Sequence, residues 1–129
     1  LWTERIMLAG VADLVTDLPD PLPRDRLRDL PMILEVDERL TAADDPELGE
    51  SIERVVIRCA LRATVWDLVG RGAGVTLVPE DLAQRILRRV ELRALEPEVR
   101  RPAGVILRPG QPSPAATAFV EVARASAVA

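Results

Sequence analysis

The sequence predicts an α/β domain with a mainly parallel sheet flanked by helices, and three observations carry that expectation. Apolar strand-like runs alternate along the chain with helix-like segments, the order in which successive βαβ steps are written. The stretch Leu68-Val69-Gly70-Arg71-Gly72-Ala73-Gly74-Val75-Thr76-Leu77-Val78-Pro79 places a helix end, a tight turn and a buried strand in immediate succession. Finally, 129 residues of 48% apolar and 29% charged content suffice for one domain, or a piece of a larger one, with a sizeable core.

Ile6 to Val11 reads as a short apolar strand, with Trp2 placed to cover the end of a core. Pro19, Pro21 and Pro23 punctuate a loop, after which Leu27 and Leu30 fit one or two helical turns. Arg24, Arg26 and Arg28 are interleaved there with Asp25 and Asp29, as on a solvated short helix. Pro31 stops that turn, and Met32 to Val36 resumes as strand. From Asp37 to Glu53 the chain is acidic and polar, so a loop with at most a short helix is expected.

Arg54 to Leu61 is the next strand, and Ala63 to Val69 is a helix with Val65, Trp66, Leu68 and Val69 on its apolar face. The glycine turn follows. Val75 to Val78 is then a buried strand that Pro79 prevents from continuing in the middle of a sheet. Glu80 and Asp81 open, and Arg85, Arg88 and Arg89 close, a helix whose charges match its dipole. Glu91 to Leu95 alternates as a half-exposed strand does, Pro97 and Pro102 bracket a charged connector, and Ala103 to Leu107 is strand again. Ser113 and Pro114 form an N-cap and first-turn proline for a last helix carrying Ala115, Ala118, Phe119, Val122 and Ala123 on one face. A subdomain boundary near Arg93 to Arg101 fits this punctuation.

Composition narrows the function. All 17 basic residues are Arg, and His, Lys, Tyr and Asn are absent, which reads as the coding bias of a GC-rich genome. The 21 acidic residues leave a net charge of −4, without the clustered basic excess that tracks phosphates, so direct nucleic-acid binding by this segment is not expected. No run approaches the roughly 18 apolar residues of a membrane span, and Glu4, Arg5 and Asp13 interrupt the place of a signal-peptide core. A cytoplasmic chain with no membrane partner is therefore expected.

Chemistry at a catalytic or metal centre is equally poorly supplied. Cys59 is the lone cysteine, in an apolar run where a small core hydrophobe is expected, and it excludes an intrachain disulfide. Without His, only carboxylates such as Asp44, Asp45 and Glu47 could bind a metal, and they lack the spacing of a calcium loop. Gly70, Gly72 and Gly74 lie after a helix and before a strand, the reverse of a dinucleotide fingerprint. No metal and no cofactor are expected. An enzyme would need Thr64, Ser51 or Cys59 as nucleophile, yet no base stands ready and no nucleophile elbow is present, so no catalytic residue is assigned.

Ligands of parallel sheets bind beyond the carboxyl ends of strands, where helix N-termini present free N–H groups. The turn Leu61-Arg62-Ala63-Thr64 is such a place. The amides of Ala63 and Thr64, the Thr64 hydroxyl and the Arg62 guanidinium suit a carboxylate; the alternative is that Thr64 caps its helix and Arg62 is solvated. Val78 and Pro79 end the neighbouring strand on the same edge as an apolar wall, and Glu35, near another strand end, is expected to be exposed.

The run from Leu68 to Pro79 resembles the Leu-Val-x-x-Gly-x-Gly-Val-x-Leu-Val-Pro pattern of the effector-binding domains of LysR-type transcriptional regulators. Glu4-Arg5-Ile6-Met7-Leu8 is similar to the strand entering that family's second subdomain, and Leu27-Arg28-Asp29-Leu30-Pro31 to the short helix after it. Arg101-Pro102-Ala103-Gly104-Val105-Ile106-Leu107-Arg108 and Ser113-Pro114-Ala115-Ala116-Thr117-Ala118-Phe119 look like its closing strand and helix. The resemblance implies a fold like the type 2 periplasmic binding proteins, two α/β subdomains joined by crossing strands with an effector in the cleft. Residues 1–92 would form the second subdomain, and residues 93–129 would supply the crossover strand, closing strand and C-terminal helix returning to the first.

By the same resemblance, the winged helix-turn-helix and the first half of the first subdomain lie outside this sequence, and Asp37 to Glu53 is short for the helix usually found there. The chain is then a fragment of a longer regulator or a reduced relative, and a fragment is expected because the last strand and helix otherwise lack most of their sheet. The implied function is sensing of a small, anionic effector by a dimer or tetramer, with DNA contacted only through a domain outside these residues. The resemblance favours a contact from Arg62, Ala63 and Thr64, with Val78 and Pro79 beside them. An exported solute receptor shares the fold and is the alternative, followed by a small α/β enzyme.

Overall fold

A strand of two characters organises the molecule. β1 (Trp2–Gly10) is exposed where it begins and buried from Ile6 onward, and it is hydrogen-bonded on both edges. A computed structural model describes residues 1–36, 45–86 and 88–128. On one edge β1 runs antiparallel to β5 (Thr76–Pro79), with Ile6 opposite Pro79 and Ala9 opposite Thr76. On the other it runs antiparallel to the long β6 (Glu91–Ala103), from Trp2 opposite Ala103 to Gly10 opposite Glu91. β2 (Leu22–Pro23) extends this sheet parallel to β6, giving the order β2-β6-β1-β5.

β3 (Met32–Glu35) and β4 (Val55–Cys59) form a parallel pair. A parallel bridge from Met32 to Val75 joins that pair to the residue before β5, with the Ile33 amide donating to the Val75 carbonyl at 2.8 Å and the Val75 amide to the Pro31 carbonyl at 2.9 Å. The class is α/β, but the sheet is mixed where a mainly parallel one was expected. Alternating strand and helix patterns reveal parallel steps, whereas the two antiparallel ladders of β1 join segments far apart in sequence and leave no local periodic signal.

Strand alternation then assigns the helices to faces. Met32 and Leu34 point into a cluster with Ile6, Leu8, Val75 and Leu77, closed by Val15 from α1 (Ala12–Val15), Leu27 from a 3-10 turn (Arg24–Asp29) and Leu48 from α2 (Pro46–Glu50). Ile33, between them in sequence, points the other way to Cys59 and to Val65 and Val69 of α3 (Arg62–Gly70). Ala9 and Val78 meet Ala83 of α4 (Glu80–Ile86). Leu8, Leu22, Leu27, Met32, Ile33 and Leu48 are fully buried, and each such side chain contributes about 1.5–3 kcal/mol over an exposed one, which is what holds such short strands in register.

The glycine turn forms as a complete helix stop. The Ala73 amide donates to the Leu68 carbonyl and the Gly72 amide to the Val69 carbonyl, both at 3.1 Å, the two bonds of a Schellman closure. Gly72 supplies the left-handed residue that closure needs, at φ 83°. Gly74 serves a different purpose. A Cβ there would lie 2.6 Å from the Pro31 carbonyl oxygen and 2.9 Å from Ile33 Cγ1, so its missing side chain is what lets the strand approach β3.

Several expectations are revised. Residues 91–103 are one strand, so the charged stretch between Pro97 and Pro102 is ladder and not a connector; Pro102 pairs with Thr3, and the register jumps across residues 95–98, where Leu95 pairs instead with Leu22. Residues 104–113 are neither helix nor strand, so the expected strand over Ala103–Leu107 stops at Ala103, and Val105, Ile106 and Leu107 are exposed. α5 (Pro114–Val128) starts as expected, with the Ser113 hydroxyl accepting from the Ala116 amide at 3.2 Å, but Phe119 and Val122 on its apolar face are exposed. Trp2 is exposed rather than capping a core.

Arg24 is not solvated. Its Nε donates to the Pro97 carbonyl at 2.8 Å, its Nη2 to the Glu98 carbonyl at 3.1 Å, and its Nη1 lies 3.0 Å from Asp45. Asp45, weighed above as a metal candidate, also caps α2 by accepting from the Leu48 amide at 3.1 Å. Asp44 and the acidic stretch of residues 37–44 fall outside the described residues, as does Leu87.

Gly74→Ala is expected to destabilise the protein by about 1–3 kcal/mol through overpacking against Pro31 and Ile33. Gly70→Ala, where nothing lies within 4 Å of the new methyl group, is expected to be neutral or stabilising by about 0.5 kcal/mol. Urea denaturation of the two variants beside the parent chain checks both.

Candidate functional site

The elements that carry the predicted site residues end on one edge of the sheet. β3 stops at Glu35 and β5 at Val78 and Pro79, while α3 begins at Arg62 directly after β4. Because β1 runs antiparallel to β5 and β6, its first residues and the last residues of β6 lie at that same edge, with Glu4 directly opposite Arg101. Among these ends opens a cavity of about 170 Å³. Its walls are Glu4, Glu35, Arg62, Val65, Trp66, Thr76, Leu77, Val78, Pro79, Leu82 and Arg101.

Three of the five predicted residues, Arg62, Val78 and Pro79, are brought together in this wall. Ala63 and Thr64 are exposed and lie outside it. Thr64 does not cap its helix either: Leu61 is the N-cap residue, with extended backbone and no side-chain hydrogen bond. The Thr64 amide donates to the Leu61 carbonyl at 3.1 Å, so among the first-turn donors it is already engaged. Of the expected carboxylate cradle, the Arg62 guanidinium is the group that lines the cavity, and the helix starts at Arg62, one residue earlier than its apolar pattern indicates.

Glu35 is half-buried rather than exposed, and the Arg62 Nε donates to its Oε2 at 3.2 Å. That contact was within reach of the sequence, since the two residues end β3 and follow β4, which are neighbours. Arg101 and Glu4 were not. The Arg101 Nε and Nη2 donate to one Glu4 oxygen at 3.2 and 2.5 Å, across 97 residues of chain. Trp66, Leu77 and Leu82 complete the apolar side, with the buried Thr76 among them, and follow from the helix and strand phases once the cavity is located.

The two ion pairs differ in strength. The Arg62 side chain is 54% exposed and bonded through one nitrogen, so its pair falls in the range of about 0–1 kcal/mol typical of surface ion pairs. The Arg101 side chain is 18% exposed and bonded through two nitrogens, which ties β6 to β1. A third pair stands behind this edge: Arg5 clasps Glu80 with Nε to Oε2 at 3.0 Å and Nη2 to Oε1 at 2.6 Å. The hydrogen bond from Arg5 holds the Glu80 carboxyl below the usual carboxylate range, with the charges of Arg5 and Arg100 adding to it against partial desolvation.

Residues 1–128 match the family model of the LysR substrate binding domain. The chain belongs to this family. Its fold is that of solved family members. The reduced form of OxyR superposes with a TM-score of 0.73 at 26% identity, over 99% of this chain and 61% of the other. The effector binding domain of QuiR in complex with shikimate gives 0.68 at 15% identity, over 98% and 62%, and the regulatory domain of Synechocystis CcmR in complex with 2-PG gives 0.70 at 14%, over 97% and 64%. This LysR substrate binding domain chain therefore spans less than two thirds of each of those chains. No curated protein sequence matches it. No described helix is long and apolar enough to cross a membrane.

Because Glu80 is held below its ordinary value of 4.5, the Arg5–Glu80 clasp stabilises the fold fully above that value and loses its contribution as pH falls through the lowered one. Glu80→Gln is expected to lower the melting temperature near neutral pH and to flatten its decline as pH falls below 4.5. Thermal melts of both chains across that range check the sign; parallel acid limbs would contradict it.

Proposed function

We propose that the chain is the ligand-sensing part of a LysR-type transcriptional regulator, that it is not an enzyme, and that the cavity at the strand ends holds a small carboxylate-bearing effector. The carrying observation is a half-exposed guanidinium, Arg62, at an apolar cavity walled by Val65, Trp66, Leu77, Val78, Pro79 and Leu82. Apolar walls with a few placed charges are the usual composition of a small-molecule site, and the edge is the one at which α/β sheets bind ligands. Ligands named for related domains, shikimate and 2-PG, support a small-molecule effector.

In this reading residues 1–92 are the second subdomain of the effector domain and residues 93–129 return to the first. The apolar side chains left uncovered at Ile106, Phe119 and Val122 support such a division, since a helix with one exposed apolar face is built to be packed against. Effector binding would change the angle between the subdomains, and a cytoplasmic dimer or tetramer would relay that change to DNA through a separate domain.

Titration calorimetry of the intact protein against a panel of small carboxylates that includes shikimate tests the site. For any ligand found, Arg62→Ala is expected to weaken binding about tenfold or more, the worth of a charge-assisted hydrogen bond, while Thr64→Val stays within about twofold. Equal affinities for the parent and the Arg62→Ala protein would remove the cavity from consideration.

A further inference from the structure

The charges on the cavity wall do not suit a simple anion. Among the described residues it carries Glu4, Glu35, Arg62 and Arg101, two of each sign, and each arginine is already paired with a carboxylate. An anion that took an arginine would leave a half-buried glutamate without its countercharge and facing the newcomer, a cost that grows as the site is closed from water. A cation bound by a glutamate would strand the arginine in the same way.

Only one of the two pairs is built to open. Arg101 is shielded and bonded twice to Glu4, and that pair also fastens two strands in their ladder. Arg62 is half-exposed, donates to Glu35 through Nε alone at 3.2 Å, and sits at the start of α3, where the dipole favours an arriving carboxylate. Among the described residues its Nη groups meet no acceptor, and a guanidinium offers them to a second one.

We propose that the Arg62–Glu35 pair is an exchangeable receptor for a zwitterion, so that the effector is an α-amino acid with an apolar side chain. Its carboxylate takes Arg62, its ammonium takes Glu35, and both charges of the opened pair are compensated at once. The side chain lies on Val65, Trp66, Leu77, Val78, Pro79 and Leu82, in a volume several times the roughly 30 Å³ share of a water molecule. Glu35 then determines specificity by rejecting a ligand that lacks the ammonium group. This inference rests on the reading of the cavity as the effector site and adds the class of effector.

The test is calorimetry of the intact protein with two ligand sets of constant skeleton: leucine, isocaproate and isoamylamine, and phenylalanine, hydrocinnamate and phenethylamine. In at least one set the amino acid is expected to bind about tenfold or more tightly than either the acid or the amine, and Glu35→Gln is expected to bring the acid and the amino acid within about threefold of each other. An acid that binds the parent protein as tightly as its amino acid, or a preference that survives Glu35→Gln, would overturn the proposal while leaving the cavity as a carboxylate site. Failure of all six ligands to bind would also overturn it, and the Arg62→Ala comparison with the carboxylate panel separately decides the fate of the site.

Discussion

One side of the candidate site depends on β1 being paired antiparallel on both of its edges. The ladder to β5 sets Ile6 against Pro79 and so brings the start of β1 to the carboxyl end of a strand that otherwise belongs to a parallel arrangement. The ladder to β6 sets Glu4 against Arg101 at the same end. These two registers bring Glu4 and Arg101 to the cavity, while Glu35, Arg62 and Pro79 are assembled through the bridge from Met32 to Val75. The constraint is steric as well as hydrogen-bonded: Gly10 carries no side chain where a Cβ would lie 2.7 Å from both Val15 and Val75, so β1 can lie close to its neighbours only with glycine there.

The charged residues of this acidic chain acquire quite different meanings in that frame. Arg24 binds two carbonyls of β6 and the residue that caps α2, Arg5 clasps the first residue of α4, and Arg101 fastens β6 to β1. These arginines fix elements to one another. Arg62 differs from these: among the described residues it is held by one exposed contact, and in the proposed reading this weak pair beside the apolar wall is where a ligand competes. The difference lies in burial and in the number of nitrogens engaged, since solvent screening reduces an exposed pair to near neutrality.

The sequence was legible where its signal is local. The Leu68 to Pro79 run ends a helix at a left-handed glycine and enters a buried strand, the Ser113 cap opens α5, and Cys59 is a core side chain. Arg62, Val78 and Pro79 could be placed at a sheet edge because they follow or end apolar runs. Prolines and charges hide the continuity of the long strand β6, and the alternative of a Thr64 cap fails because Leu61 holds the N-cap position, since helix starts shift by a residue without altering the apolar phase. Residues 104–107 are apolar enough for a strand, but a strand exists only where a partner supplies hydrogen bonds, and none does so among the described residues.

By itself, then, the amino-acid sequence determined the class of fold and the turn chemistry, because propensity, capping and periodicity act over a few residues, and the order of its motifs carried the resemblance to the family. Tertiary structure decided the mixed direction of the sheet, the opposition of Glu4 and Arg101 and the pairing of Glu35 with Arg62. Those depend on pairings across 27 to 97 residues, whose energy comes from registers that no local pattern encodes.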